Sequence, residues 1–453
     1  MRICLLLAAV GGARPRLAPR DRERARLAGA RHRRLSDPSS FKLLVKRTAS
    51  DAAPLHLFGF SVALDGNTVV SGAPGCYMHW CPALNGSVYV LRASDGEELA
   101  KLTAADAAPG DVFGENVAID GDTVVVGARG DNNVTGAVYV FRATDGWDTH
   151  TEIKLTASDG ASEDLFGQSV AIDSAAAAVV VGASQSRKAG GTGAAYLFRT
   201  TDGGATYGQL AKLTAADAAA GDSFGWSVAI DSGTIVVGAY GDDDAAGAAY
   251  VFRTSDDGIV YSKLTASDAA ADDQFGVSVA IDGATVVVGA YQDGDAGIGS
   301  GSAYVFRTTD GWDTHDQVAK LTASDGAVND AFGISVAIDG ATVVVGAYCD
   351  SDGGSQSGSV YVFRTSDGGD TYGQVAKLTA DAAAAGDGFG VSVAIDGSTV
   401  VVGASQWLSA GSGSAYVFEE DSSWWDYLSS DATRALPATM IFLAAGAAAM
   451  LAF

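Results

Sequence analysis

The side chains in this sequence with the numbers and spacing to do chemistry are carboxylates. They gather as Gly-Asp-Asp-Asp at Gly241 to Asp244, which carries Asp242, Asp243 and Asp244, then as Asp293-Gly294-Asp295 and as Asp350-Ser351-Asp352. Asp268, Asp272 and Asp273 form another group. Clustered oxygens of this kind suit a hard cation, which takes many oxygen ligands from flexible loops. Calcium is therefore the one cofactor the pattern admits, against the plainer reading of a solvated acidic rim on a chain of formal net charge −25.

Other chemistries are poorly served. Outside an arginine-rich segment the histidines are His56, His79, His150 and His315, and none stands in a Ser/His/Asp grouping or at metal-ligand spacing. Paired carboxylates are too numerous to single out an acid and a base. No catalytic residue is assigned, and the chain is expected not to be an enzyme. If one chemistry had to be chosen, it would be polysaccharide hydrolysis or lysis at the acidic end. Nucleic acid is excluded as a partner by the sign of the charge, because the chain has little basic surface to neutralise phosphates.

The acidic groups lie in a strongly periodic chain. Phe-Gly recurs at Phe58, Phe113, Phe166, Phe224, Phe275, Phe332 and Phe389, at spacings between 51 and 58 residues. Each unit reads SVAID, a two-residue break, TVVVGA, a polar loop, a segment such as GSAYVF, a second break, and VAKLTASD. The runs are short, rich in Val, Ile, Tyr and Phe, and bounded by Gly and Asp, which predicts four strands per unit. The Asp-Gly breaks, such as Asp65-Gly66 and Asp339-Gly340, fit type I′ hairpins. Unalternated runs such as Val124-Val125-Val126 imply strands covered on both faces.

Seven four-stranded sheets stacked radially give an all-β, seven-bladed β-propeller over 41–418. The last unit lacks a fourth strand, while KRTASDAAPLHLFG at Lys46 to Gly59 begins with one that no unit precedes. Leu43 to Thr48 is therefore expected to complete the last blade. In an up-and-down sheet, the loop after the Gly-Ala pair and the blade-to-blade loop emerge at the same end, which concentrates the carboxylates there.

Phe-Gly followed about fifteen residues later by Gly-Ala, with Gly72-Ala73-Pro74 in the first copy, resembles the FG-GAP repeat proteins, of which integrin α-chain heads are members. The resemblance implies a seven-bladed propeller. The calcium loops of the integrin-like repeats do not carry over, because the connection that would hold them has shrunk here to an Asp-Gly turn. Arg129-Gly130-Asp131 is the tripeptide that integrins recognise. Gly-Asp recurs at the same place in GAYGDDD, so coincidence competes with function there.

Several features point to export. Ile3 to Ala13 resembles a secretory signal core, and the basic stretch ending Arg31 to Arg34 resembles a furin-type processing site, so 1–34 reads as signal and pro-segment. A disordered basic arm and an organelle transit peptide are the competing readings. Cys76 and Cys81 are expected to form a local disulfide. Asn85 and Asn133 head N-glycosylation sequons. After a polar linker, 419–434, the uncharged tail Ala435 to Phe453 sits behind Ser429 and Ser430, the layout of a GPI-attachment signal. A membrane-spanning helix is the alternative.

The expected protein is a membrane-anchored cell-surface module that binds extracellular protein or glycan through its acidic loops. The candidates for that face are Arg129, Asp131, Asp242, Asp243, Asp244, Asp293, Asp295, Asp350 and Asp352. A structural coat protein with no specific partner is the alternative.

Overall fold

Each Asp-Gly break is a tight hairpin with its glycine at positive φ, for example Gly66 at 54° and Gly340 at 53°. The strands on either side pair antiparallel without interruption, Asp65 opposite Thr68 and Asp339 opposite Thr342. A computed structural model of the protein describes residues 41–75, 84–255, 258–407 and 409–421, with the side chains of 254, 255 and 258 also outside the description. Its main body runs from Leu43 to Phe418, while a second unit, Ala8–Lys42 with Glu419–Phe453, lies almost wholly outside the described residues.

The body is a seven-bladed β-propeller of four-stranded antiparallel sheets. In the first six blades the strands follow in chain order, as in blade one: Ser61–Asp65, Thr68–Ala73, Ser87–Arg92 and Glu98–Leu102. The seventh sheet is ordered Phe41–Arg47, Ser414–Glu420, Thr399–Ala404, Phe389–Asp396, so its outermost strand comes from the other end of the chain. The second strands are covered on both faces, and every residue of Thr123–Ala128 and Thr342–Ala347 is buried. This is what the unalternated valine runs require.

The repeated phrase has a steric cause. The Gly of Gly-Ala sits against the carbonyl of the Phe-Gly glycine in the next blade. A Cβ on Gly72 would lie 1.9 Å from the Gly114 oxygen, and one on Gly403 would lie 2.0 Å from the Gly59 oxygen. Beside these contacts, the Ser61 hydroxyl donates to the Gly114 carbonyl at 2.9 Å and Ser392 to that of Gly59 at 3.1 Å. The phenylalanine of each pair packs edge-on against a third-strand tyrosine, as Phe113 does on Tyr139 at 5.5 Å. A blade that cannot bury its own faces buries them on its neighbours.

Candidate functional site: the loop end and its lysine-centred cages

The third-strand tyrosines are buried, and their hydroxyls reach the end of the ring where the carboxylates gather. In blade five, Tyr304 Oη donates to Asp293 at 2.7 Å. Lys320, from the adjacent fourth strand, places its ammonium 2.6 Å from Asp268, 3.0 Å from Asp293 and 2.5 Å from Asp295. The same Nζ lies 5.3 Å from the centre of the Tyr304 ring.

Blade six repeats the arrangement, with Lys377 on Asp325, Asp350 and Asp352 at 2.7, 3.1 and 2.7 Å. Blade two uses Lys154 with Asp106 and Asp131, and blade four uses Lys263 with Asp217 and Asp242. In each cage the Tyr also donates to the buried loop aspartate.

The electrostatics follow from these contacts. Hydrogen bonds from Lys154 and then Tyr139 hold the Asp106 carboxyl below the ordinary range, and Lys263 does the same to Asp217. Burial pushes Tyr139 and Tyr250 up, and the carboxylates that accept from them push further. Burial alone would lower Lys320, but its hydrogen bonds to Asp268, Asp295 and Asp293 raise it. A second set of carboxylates, one in each of the six loops that lead into blades two to seven, accepts from the amide three residues earlier, as Asp330 does from Ala327 at 2.7 Å. Burial pushes Asp330 up to about 6.

Asp268, Asp293 and Asp295 are the cluster, among the described residues, whose oxygens are close enough to share a metal ion. The Lys320 ammonium already stands within 3.0 Å of all three. The cage supplies its own cation, so a calcium ion there would have to displace a hydrogen-bonded lysine.

The sequence candidates therefore separate. Asp131, Asp242, Asp293 and Asp350 are buried inside cages and are not presented to a partner. Asp295 and Asp352 are exposed but paired with Lys320 and Lys377. Asp243 and Asp244 are exposed, at φ of 49° and 56°. Arg129 is buried against Glu115, with Nη2 at 2.8 Å from the carboxylate, and Asp131 is turned inward to Tyr139 and Lys154. The Arg-Gly-Asp tripeptide is thus part of the blade's interior and not an exposed pair of opposite charges. Asn85 and Asn133 are exposed, and Asn133 Nδ2 donates to Ser162 Oγ at 2.8 Å. Cys76, Cys81, Ser429 and Ser430 lie outside the described residues. Among the described residues no helix is long and apolar enough to cross a membrane.

Two features went unread in the sequence. Blades three and seven have Ser-Gln after Gly-Ala. Gln185 there donates to Asp164 at 2.9 Å and accepts from Gly193 N, and Gln406 does the same with Asp387 and Gly413 N. An Asp or a Gln after Gly-Ala was the available signal for these two loop classes. The other feature is a circuit at the opposite end. The Asp that ends each first strand accepts from the turn amide of the next blade, Asp65 from Gly121, Asp120 from Ser174, Asp173 from Gly233, Asp231 from Gly283, Asp282 from Gly340, Asp339 from Gly397 and Asp396 from Gly66.

The chain matches the FG-GAP repeat family in seven segments, residues 42–91, 97–141, 150–198, 207–252, 260–306, 315–363 and 372–418, well over half its length. It belongs to that family. Each match begins at or near the fourth strand that precedes a blade, the same offset seen in the sheet order. No curated protein matches the chain.

Proposed function

We propose that the protein is a non-enzymatic recognition module of the cell surface, which engages an extracellular protein or glycan through the loops that follow each Gly-Ala pair. The observation that carries the reading is where the copies differ. Their strands and turns repeat nearly word for word, while these loops range from GAPGCYMHWCPALNGS in blade one through GAYGDDDAAG in blade four to GASQWLSAGSG in blade seven. Propellers place variable loops on a rigid scaffold, an arrangement suited to binding. The surface offered is the outward remainder of each loop, including Asp243, Asp244, Asn132 and Ile298, since the inner aspartates hold lysine. Export and attachment through a GPI lipid or an apolar tail belong to the same proposal and rest on the terminal sequences, and N-glycosylation rests on the sequons at Asn85 and Asn133.

The test is a binding survey of the full chain against arrayed extracellular proteins and glycans, with and without calcium. Saturable binding to a small set of targets, insensitive to calcium, supports the reading. Indifference to every target supports a surface coat instead.

A further inference from the structure

The blades are not equally sealed at their outer rims. In blades two and five, the connection from third to fourth strand carries Asp-Gly-Trp-Asp, and its tryptophan swings back over the preceding blade. Trp147 is buried in a cluster with Leu102 of blade one, against which Leu99 also packs. Trp312 is buried against Leu264 of blade four, and its carbonyl accepts from Ser262 Oγ at 2.7 Å. Tyr207 and Tyr372, half-buried in blades three and six, pack on the clusters that contain Leu155 and Leu321 of the blades before.

A polar contact accompanies each aromatic plug in three of these seams. The arginine that follows the third-strand phenylalanine of the preceding blade meets the same connection. Arg142 donates to the Gly203 carbonyl, Arg253 pairs with Asp313 and Arg307 with Asp370.

Blade one has no aromatic in this connection, but Arg47 of the last sheet donates to its Asp95 and Gly96 carbonyls. Blade four differs again: its third and fourth strands stay paired out to Ser255 opposite Gly258, which leaves two residues between them and no aromatic to carry back over blade three. The seam it leaves is a cavity of about 490 Å³ floored by Leu197, Leu213, Ile230 and Phe252 and flanked by Leu210 and Ile259. Leu210 is 56% exposed, where its counterpart Leu99 is half-buried against the cluster that holds Trp147. Arg199, the counterpart of Arg142 and Arg253, lines the cavity, is exposed, and makes no hydrogen bond or ion pair among the described residues.

We propose that this seam is a docking site for an extended acidic segment of a partner protein, which inserts an aromatic side chain flanked by aspartate. The molecule supplies the template, because Trp312 and Asp313 make these contacts within the chain one blade further on. The apolar floor takes the ring, and Arg199 takes the carboxylate, as Arg253 takes Asp313. The seam opens at the turn end of the ring, beside Ser232 and Gly233, away from the variable loops. The proposal rests on the reading of the ring as a recognition module, but not on which loops carry the other interaction.

The test titrates the full chain into a labelled peptide, Thr-Asp-Gly-Trp-Asp-Thr-His, and follows fluorescence anisotropy. Saturable binding is expected, weakened at least tenfold by Arg199→Glu, by Leu210→Glu, or by alanine in place of the peptide's tryptophan. Both substituted residues are exposed, so melting should confirm an intact fold. Grafting the blade-five connection, Thr308 to Gln317, in place of residues 254–260 should fill the seam and abolish binding. Absence of saturation at millimolar peptide, or binding undiminished in Arg199→Glu or in the graft, overturns the proposal. Self-association of the chain lost in Leu210→Glu also overturns it, by assigning the seam to a second copy. Any of these failures beside intact array binding removes this site alone.

Discussion

The two ends of the ring use aspartate in opposite ways. At the turn end each carboxylate reaches out of its own blade to the next turn amide, from Asp65 to Gly121 and on around to Asp396 and Gly66. At the loop end each cage centres on one blade, as Asp293, Asp295, Tyr304 and Lys320 do in blade five, with Asp268 alone coming from the loop that leads into it. A change at the turn end is felt by two blades, whereas a change in a loop is felt by one. This explains why the turns stay alike while the loops diverge. A lysine that neutralises the inner carboxylates leaves the outer residues free to vary without charge strain.

The comparison can be sharpened first at the glycines, where contact between blades is backbone on backbone. Gly346→Ala would set a methyl 2.0 Å from the Gly390 carbonyl. Denaturant unfolding should show a loss of about 3 kcal/mol or more, as overpacking without room to relax does. Gly373→Ala, with nothing within 4 Å, is the control and should change little.

Next in size is the cage. Lys320→Met leaves Asp268, Asp293 and Asp295 facing one another. It should cost about 2 kcal/mol, below the range for fully buried pairs because two of the carboxylates are exposed. Hydrogen exchange should rise in blade five alone, and spread to distant blades would break the comparison. The variant should also melt higher in millimolar calcium, while the unsubstituted chain should not.

Breaking one link of the turn circuit should cost less, about 1 kcal/mol for a charge-assisted hydrogen bond at an exposed site. Asp396→Ala, at the link between the seventh and first blades, should cost the same as Asp282→Ala within the chain. A negligible cost at Asp396 would mean that the seam between the chain's ends carries no load.

The smallest effect concerns pH. Asp106 and Asp217 are held low by lysine, so the stability they contribute is present above the ordinary carboxylate value near 4 and fades below it. Asp330, pushed up to about 6, runs the other way. Its contribution is full below about 4 and is lost as pH rises toward about 6. Asp330→Asn keeps an oxygen for the Ala327 amide and should flatten the melting temperature across that window by roughly a degree.

The sequence disclosed the ring because its determinants are local and repeated. Asp-Gly at Asp339-Gly340 names the turn, and Val343-Val344-Val345 names a strand covered on both faces. The lysine cages were not read, because Lys320 and Asp268 stand 52 residues apart and meet only through sheet register and blade stacking. For the same reason Asp131 read as an exposed ligand when it is a buried acceptor. Glu115, in the bend that follows Phe113-Gly114, draws Arg129 inward, and no spacing rule brings those two together. The open seam at blade four was written only as a missing length of chain, which becomes informative once Trp147 and Trp312 are seen filling its counterparts.

On the function proposed, the repeats build the ring and their differing loops do the recognising. With a target from the array survey in hand, the loops after Gly-Ala in blades one and two should be replaced by GAYGDDDAAG of blade four, and affinity and melting temperature measured together. The account predicts that affinity falls at least a hundredfold while the melting temperature holds. Undiminished affinity in the double replacement would contradict it.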